Sequence, residues 1–203
     1  NKFIYWNELE KHLFRHNSIA KAIPYRTTYY KKNWGFCVTH SQYNQLKKNS
    51  DKFKVVIDSS LKKGSLTYGE CVIKGKSTKE ILISCYICHP SMANDSLSGV
   101  LITVFLAKYL RTLDLNWSYR IIFVPETIGA IAYSSLNQEL LKKIDVGLVI
   151  TTAGGKGEIS FKNSWNKNHY INKLAREVLD MNCKRYKEYP FDFHGSDERQ
   201  YSS

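Results

Sequence analysis

Three side chains able to bind a metal or move a proton stand just after strongly apolar runs. His89 and Asp95 follow the run 81–88, and Glu126 follows the run 120–124. An imidazole and two carboxylates are ligand types that zinc takes. A carboxylate beside such a metal can also accept a proton from water. Each residue has a plainer role open to it. His89 can be a turn residue, Asp95 before Ser96-Leu97-Ser98-Gly99 can cap a helix, and Glu126 can be a surface charge. Their shared position favours chemistry, because open α/β sheets build sites beyond the carboxyl ends of their strands.

Two further patterns are weaker. Cys85, Cys88 and His89 match the Cys-x-x-Cys-His spacing of haem attachment, and Cys85 and Cys88 match a redox pair. Side chains alternate along a strand, so thiols three positions apart face opposite ways, and both readings are set aside. His12 and His16 share a helical face, with no third ligand nearby in sequence.

The elements that must position these residues follow from hydrophobic spacing. The segment 4–16 suits a short amphipathic helix. Tyr29, Tyr30, Trp34 and Phe36 form an aromatic, β-prone stretch, followed by a short helix over 41–48. Runs 53–57 and 65–73 read as strands with a turn at Lys62-Lys63-Gly64, giving a small α+β module with antiparallel pairing. From residue 80 strands and helices alternate. Strands are expected over 81–88, 120–124 and 146–152, and helices over 96–113, 128–144 and 171–181. Leu97, Val100, Leu101, Val104, Phe105 and Tyr109 are the apolar positions of the first helix, and Leu174, Val178 and Met181 share a face of the third. That alternation predicts an α/β fold with a mostly parallel sheet sandwiched by helices. Three regions are expected: a helical segment over 1–22, an inserted α+β module over 23–78, and the α/β core over 79–203.

Composition supports a folded core. The 203 residues are 43% hydrophobic and 24% charged, which excludes a disordered chain. No apolar run reaches the roughly 18 residues needed to span a bilayer. Residues 1–13 do not resemble a secretory leader. The net charge of +12 is concentrated in residues 1–80, which carry 16 Lys or Arg against 6 Asp or Glu. A basic half can take an anionic glycan or nucleotide. No nucleic-acid motif accompanies it, so nucleic acid is not an expected partner. Five cysteines are an odd count for a secreted disulfide framework, and a cytoplasmic location with reduced thiols is expected. The ends, Asn1 and Tyr201-Ser202-Ser203, look cut, so a longer parent chain is expected.

The segment from His89 to Gly99, with Asn94-Asp95-Ser96-Leu97-Ser98-Gly99, resembles the metal-binding stretch of zinc aminopeptidases of the bacterial leucyl aminopeptidase and glutaminyl cyclase clan. Several runs are similar to an uncharacterised bacterial aminopeptidase-like branch often encoded beside polysaccharide-biosynthesis genes. They include Ile23-Pro24-Tyr25-Arg26-Thr27, Asn33-Trp34-Gly35-Phe36-Cys37, Cys88-His89-Pro90-Ser91 and Gly195-Ser196-Asp197-Glu198-Arg199-Gln200-Tyr201. The resemblance implies a zinc-exopeptidase-like core with one or two zinc ions and hydrolysis of a peptide or small amide by metal-activated water. It implies His89 as a terminal ligand, Asp95 as a ligand able to bridge two metals, and Glu126 as the catalytic base or a ligand itself. Asp197, Glu198 and His194 would lie on the substrate side, with His194 a substitute ligand. The sequence departs from the clan at Thr127, where a second Glu is usual, and at Gly154-Gly155, where an Asp is usual. Those departures leave open a catalytically degenerate relative that binds a ligand or partner.

Overall fold

A computed structural model describes residues 1–26, 31–49, 52–192 and 195–201. The chain divides into two compact units, 1–64 and 65–203.

In the first unit, β1 (Lys2–Ile4) pairs antiparallel with β4 (Phe53–Val55). A single helix over 4–16 does not form. That stretch is β1, a short α1 (Trp6–Leu9), a tight turn and β2 (Leu13–Phe14), which pairs parallel with β3 (Phe36–Cys37). The apolar spacing that suggested a helix instead buries Ile4, Leu9 and Leu13 in one core with Val38, Tyr43 and Val55. Helix α2 (His40–Lys47) starts on a capping box, in which Thr39 and Gln42 satisfy each other's backbone N–H groups. Tyr29 and Tyr30 lie outside the described residues.

The second unit carries a mixed four-stranded sheet. Its strands are β5 (Gly69–Ile73), β6 (Glu80–Ile87), β7 (Ser118–Pro125) and β8 (Ile144–Val149), in the order β5-β7-β6-β8. β7, β6 and β8 run parallel, and β5 is antiparallel to β7. The expected hairpin between 53–57 and 65–73 is therefore absent, because β4 takes β1 and β5 takes β7. Burial on both faces of β6 explains its near-continuous apolar sequence. Leu82, Ile122 and Val124 pack with Ala130 and Tyr133 of α4 (Ile128–Leu136). The alternate residues Ile83 and Ile121 pack with Leu106 and Leu110 of α3 (Gly99–Leu110). Each such side chain contributes roughly 1.5–3 kcal/mol by burial.

Helix α3 does not bury the apolar residues that marked it. Leu101, Val104, Phe105 and Tyr109 are exposed, as is Leu97 just before the helix, and Val100 is half-buried, while Thr103 and Leu110 are buried. The expected helix over 128–144 breaks at Asn137 into α4 and α5 (Gln138–Leu141). Beyond β8, β9 (Ile159–Lys162) pairs parallel with β10 (Tyr186–Tyr189), and α6 (Tyr170–Asn182) lies between them in sequence. Leu174, Val178 and Met181 of α6 are exposed.

Candidate functional site

The site is set by strand register. Ile87 of β6 lies opposite Pro125 of β7, so the next residues, Cys88 and Glu126, leave the sheet side by side. The Cys88 thiol donates to Glu126 Oε2 at 2.9 Å. On the other flank Ser84 lies opposite Val149, which brings Tyr86 beside Thr151 two residues on. The Thr151 hydroxyl donates to the Tyr86 oxygen at 2.6 Å, and Tyr86 donates to Asp95 Oδ1 at 2.9 Å. Ser96 closes the chain by donating to Thr151 at 2.9 Å. Both carboxylates therefore stand at the carboxyl end of the parallel strands, each held by hydroxyl or thiol donors.

The turn after β7 is held from below. Thr127 has φ 60°, a conformation that costs a β-branched residue energy. Its N–H donates to Asp197 Oδ1 at 2.7 Å, and the adjacent Ser196 hydroxyl donates to Glu126 Oε1 at 2.8 Å. Asp197 is fully buried, and among the described residues its Oδ2 has no hydrogen-bond partner. Burial pushes its pKa up to about 6, against the Thr127 hydrogen bond, and the charges of Glu126 and Glu198 push the same way. Burial and the Glu126 hydrogen bond push the Cys88 thiol up to about 11. Burial also raises Tyr86, whose hydroxyl stays protonated as a donor to Asp95.

The other residues singled out in the sequence fall as follows. His89 is exposed, with Nδ1 at 2.8 Å from the Pro90 carbonyl. That contact puts the proton on Nδ1 and leaves Nε2 as the ligating atom. Glu198 pairs with Lys162 at 3.1 Å and accepts the Ser196 N–H at 3.0 Å. His194 lies outside the described residues. His12 stacks on Trp34 at 3.6 Å between ring centroids, and His16 Nδ1 accepts backbone N–H groups of Ser18 and Ile19. Both histidines are thus engaged locally. Gly154 sits where a Cβ would come within 2.7 Å of Ser98 Cβ, and its N–H donates to Asn94 Oδ1 at 2.8 Å. A side chain at Gly154 would clash there, whereas one at Gly155 would make only ordinary contact, 3.4 Å from Asn94 Nδ2.

His89, Asp95 and Glu126 have donor atoms that suit zinc. All three also have the outer partners typical of metal ligands: a backbone carbonyl on the imidazole and a hydroxyl on each carboxylate. Among the described residues, however, no three His, Cys, Asp or Glu side chains are gathered closely enough to hold a metal ion. Sequence reasoning missed Tyr86, Thr151, Ser96 and Ser196 as parts of this site. Strand parity placed none of them there without the register.

The family model described as Domain of unknown function (DUF4910) matches residues 15–203. A Clostridium acetobutylicum protein named as a polysaccharide biosynthesis protein with aminopeptidase-like domain is 46% identical over 97% of this chain and 45% of its own. A solved structure from Clostridium acetobutylicum, by name a peptidase, superposes with TM-score 0.74 at 44% identity, over 100% of this chain and 47% of that one. The chain therefore spans about half the length of these relatives. A glutaminyl cyclase from an Acidobacteriales bacterium shares the fold, with TM-score 0.57 at 16% identity over 67% of this chain and 54% of that one.

Proposed function

Because this chain belongs to the family described as Domain of unknown function (DUF4910), among the bacterial aminopeptidase-like proteins of the zinc aminopeptidase and glutaminyl cyclase clan, we propose that the full-length protein hydrolyses a peptide or amide bond with water. The observation that carries this reading is the carboxylate pair Asp95 and Glu126, each oriented by donors at the carboxyl end of the parallel strands. Glu126 is the base that takes the proton from the attacking water. Ser196 and Cys88 fix its two oxygens, one each. Tyr86, Thr151 and Ser96 hold Asp95 in one orientation. His89 and Asp95 would be this chain's ligands for zinc, with Glu126 as the base or a third ligand. Zinc, when bound, supplies Lewis-acid polarisation of the carbonyl and a more acidic water.

A second reading is a degenerate peptidase-like protein that binds a ligand, with a role in polysaccharide biosynthesis. It is favoured by Thr127 and Gly154-Gly155 where the clan usually has carboxylates, and by the absence of a gathered ligand group among the described residues. One experiment separates the two. Full-length wild type, Glu126→Gln and His89→Ala are assayed on aminoacyl arylamides, with zinc counted by plasma mass spectrometry. Hydrolysis lost in Glu126→Gln with zinc retained, and zinc lost in His89→Ala, supports the first reading. No zinc after zinc is added back, with no turnover, supports the second.

A further inference from the structure

A second site lies in the first unit and rests on none of the hydrolase argument. The chain leaving β2 and the segment before the aromatic stretch border a cavity of about 730 Å³. That volume is within the range that holds a small-molecule ligand. Its chemistry-bearing lining residues are Arg15, His16, Arg26, His40 and Tyr25, and among the described residues no carboxylate lines it.

The cationic groups are held in place. The Arg15 guanidinium lies 3.5 Å from the centre of the Tyr43 ring, and the Tyr43 hydroxyl is in turn bound to Glu10. The Arg26 guanidinium lies 5.2 Å from the centre of the Phe14 ring. Stacking on an aromatic face leaves the N–H groups at the edge of a guanidinium open to an anion. Among the described residues, neither arginine forms an ion pair. His16 is fixed as a donor: its Nδ1 accepts the N–H groups of Ser18 at 3.3 Å and Ile19 at 3.0 Å, so the ring hydrogen is on Nε2. His40 Nε2 lies 2.7 Å from the His16 carbonyl, which ties the two rings to one wall.

Two guanidinium forks and a fixed imidazole N–H, around a cavity without a carboxylate, match a phosphate group better than a solvated lysine surface. Guanidinium binds phosphate through paired N–H donors, whereas scattered lysines offer only charge. We propose that this cavity binds the phosphate or pyrophosphate group of a small phosphorylated molecule, with Arg15 and Arg26 as the anion clamp.

The test is calorimetric titration of the full-length protein with inorganic pyrophosphate at physiological salt. Binding with a stoichiometry of one is expected, weakened at least about tenfold in Arg15→Gln/Arg26→Gln. Lys62→Gln/Lys63→Gln removes the same charge from exposed residues outside the cavity and is expected to bind like wild type. Arg15→Lys/Arg26→Lys keeps the charge and loses the forks, and is expected to fall between these two. Thermal unfolding without ligand is compared across all variants, so that a loss of fold is recognised. Equal weakening in Lys62→Gln/Lys63→Gln overturns the proposal, as does no binding by a folded wild type. Tighter binding of a duplex oligonucleotide than of pyrophosphate overturns it as well, because that result assigns the surface to nucleic acid.

Discussion

Asp197 gives the sharpest test of how the site is held. Its carboxyl is fully buried, with one oxygen on the Thr127 N–H and the other without a partner among the described residues. Its pKa is raised from 3.8 to about 6. A raised carboxyl keeps its proton in the folded state at pH values where the unfolded chain has lost it. The stability that Asp197 contributes is therefore full below about pH 4, falls as pH rises towards 6, and is lost above. The shift from 3.8 to about 6 corresponds to roughly 3 kcal/mol. Asp197→Asn keeps an acceptor for Thr127 and cannot ionise. Its new amide N–H group, left unpaired, costs about 1–3 kcal/mol, but that cost does not vary with pH. Relative to wild type, the variant should therefore gain roughly 3 kcal/mol between pH 4 and pH 7. In urea unfolding, the separation between the two midpoints should change by on the order of 1 M or more over that range. Other titrating groups cancel in the comparison. Parallel midpoint curves for the two proteins from pH 4 to 7 would refute the reasoning.

Gly99→Ala should cost at least about 2 kcal/mol, read as a lower melting temperature, because the added Cβ would lie 2.3 Å from the Ile150 carbonyl oxygen. Arg120→Met should cost about 3 kcal/mol at neutral pH, measured by urea unfolding, since it strips a nearly buried partner from Glu70 and Glu80. That loss should shrink in acid. Burial raises Glu70, but hydrogen bonds from Tyr133 and Arg120 more than offset it and hold its pKa low, so the stabilisation is lost as pH falls through that lowered value. Glu126→Gln should speed alkylation of Cys88 by iodoacetamide at pH 8, because it removes the carboxylate that helps hold the thiol up at about 11. An unchanged rate, followed by peptide mass spectrometry, would show that the Cys88–Glu126 contact does not govern the thiol.

Most of the second unit was legible in the sequence. A strand buried on both faces must be apolar throughout, and β6 is. The same reasoning placed His89, Asp95 and Glu126 after strand ends, because sites in such sheets form there. The first unit was less legible. Apolar residues at Ile4, Leu9 and Leu13 fit a helical period, yet they serve two strands and a turn around one core. Periodicity cannot separate these cases when the elements are this short.

Sequence alone determined that His89, Asp95 and Glu126 follow the ends of two apolar strands, since that is a property of local patterning. Tertiary structure decided the partners. The β6–β7 register set Cys88 against Glu126, the β6–β8 register set Thr151 against Tyr86, and the return of the chain at 196–197 put Ser196 on Glu126 and Asp197 beneath Thr127. Those contacts join residues tens of positions apart. Their geometry depends on strand alignment to within one residue, because a shift of one turns each side chain to the opposite face.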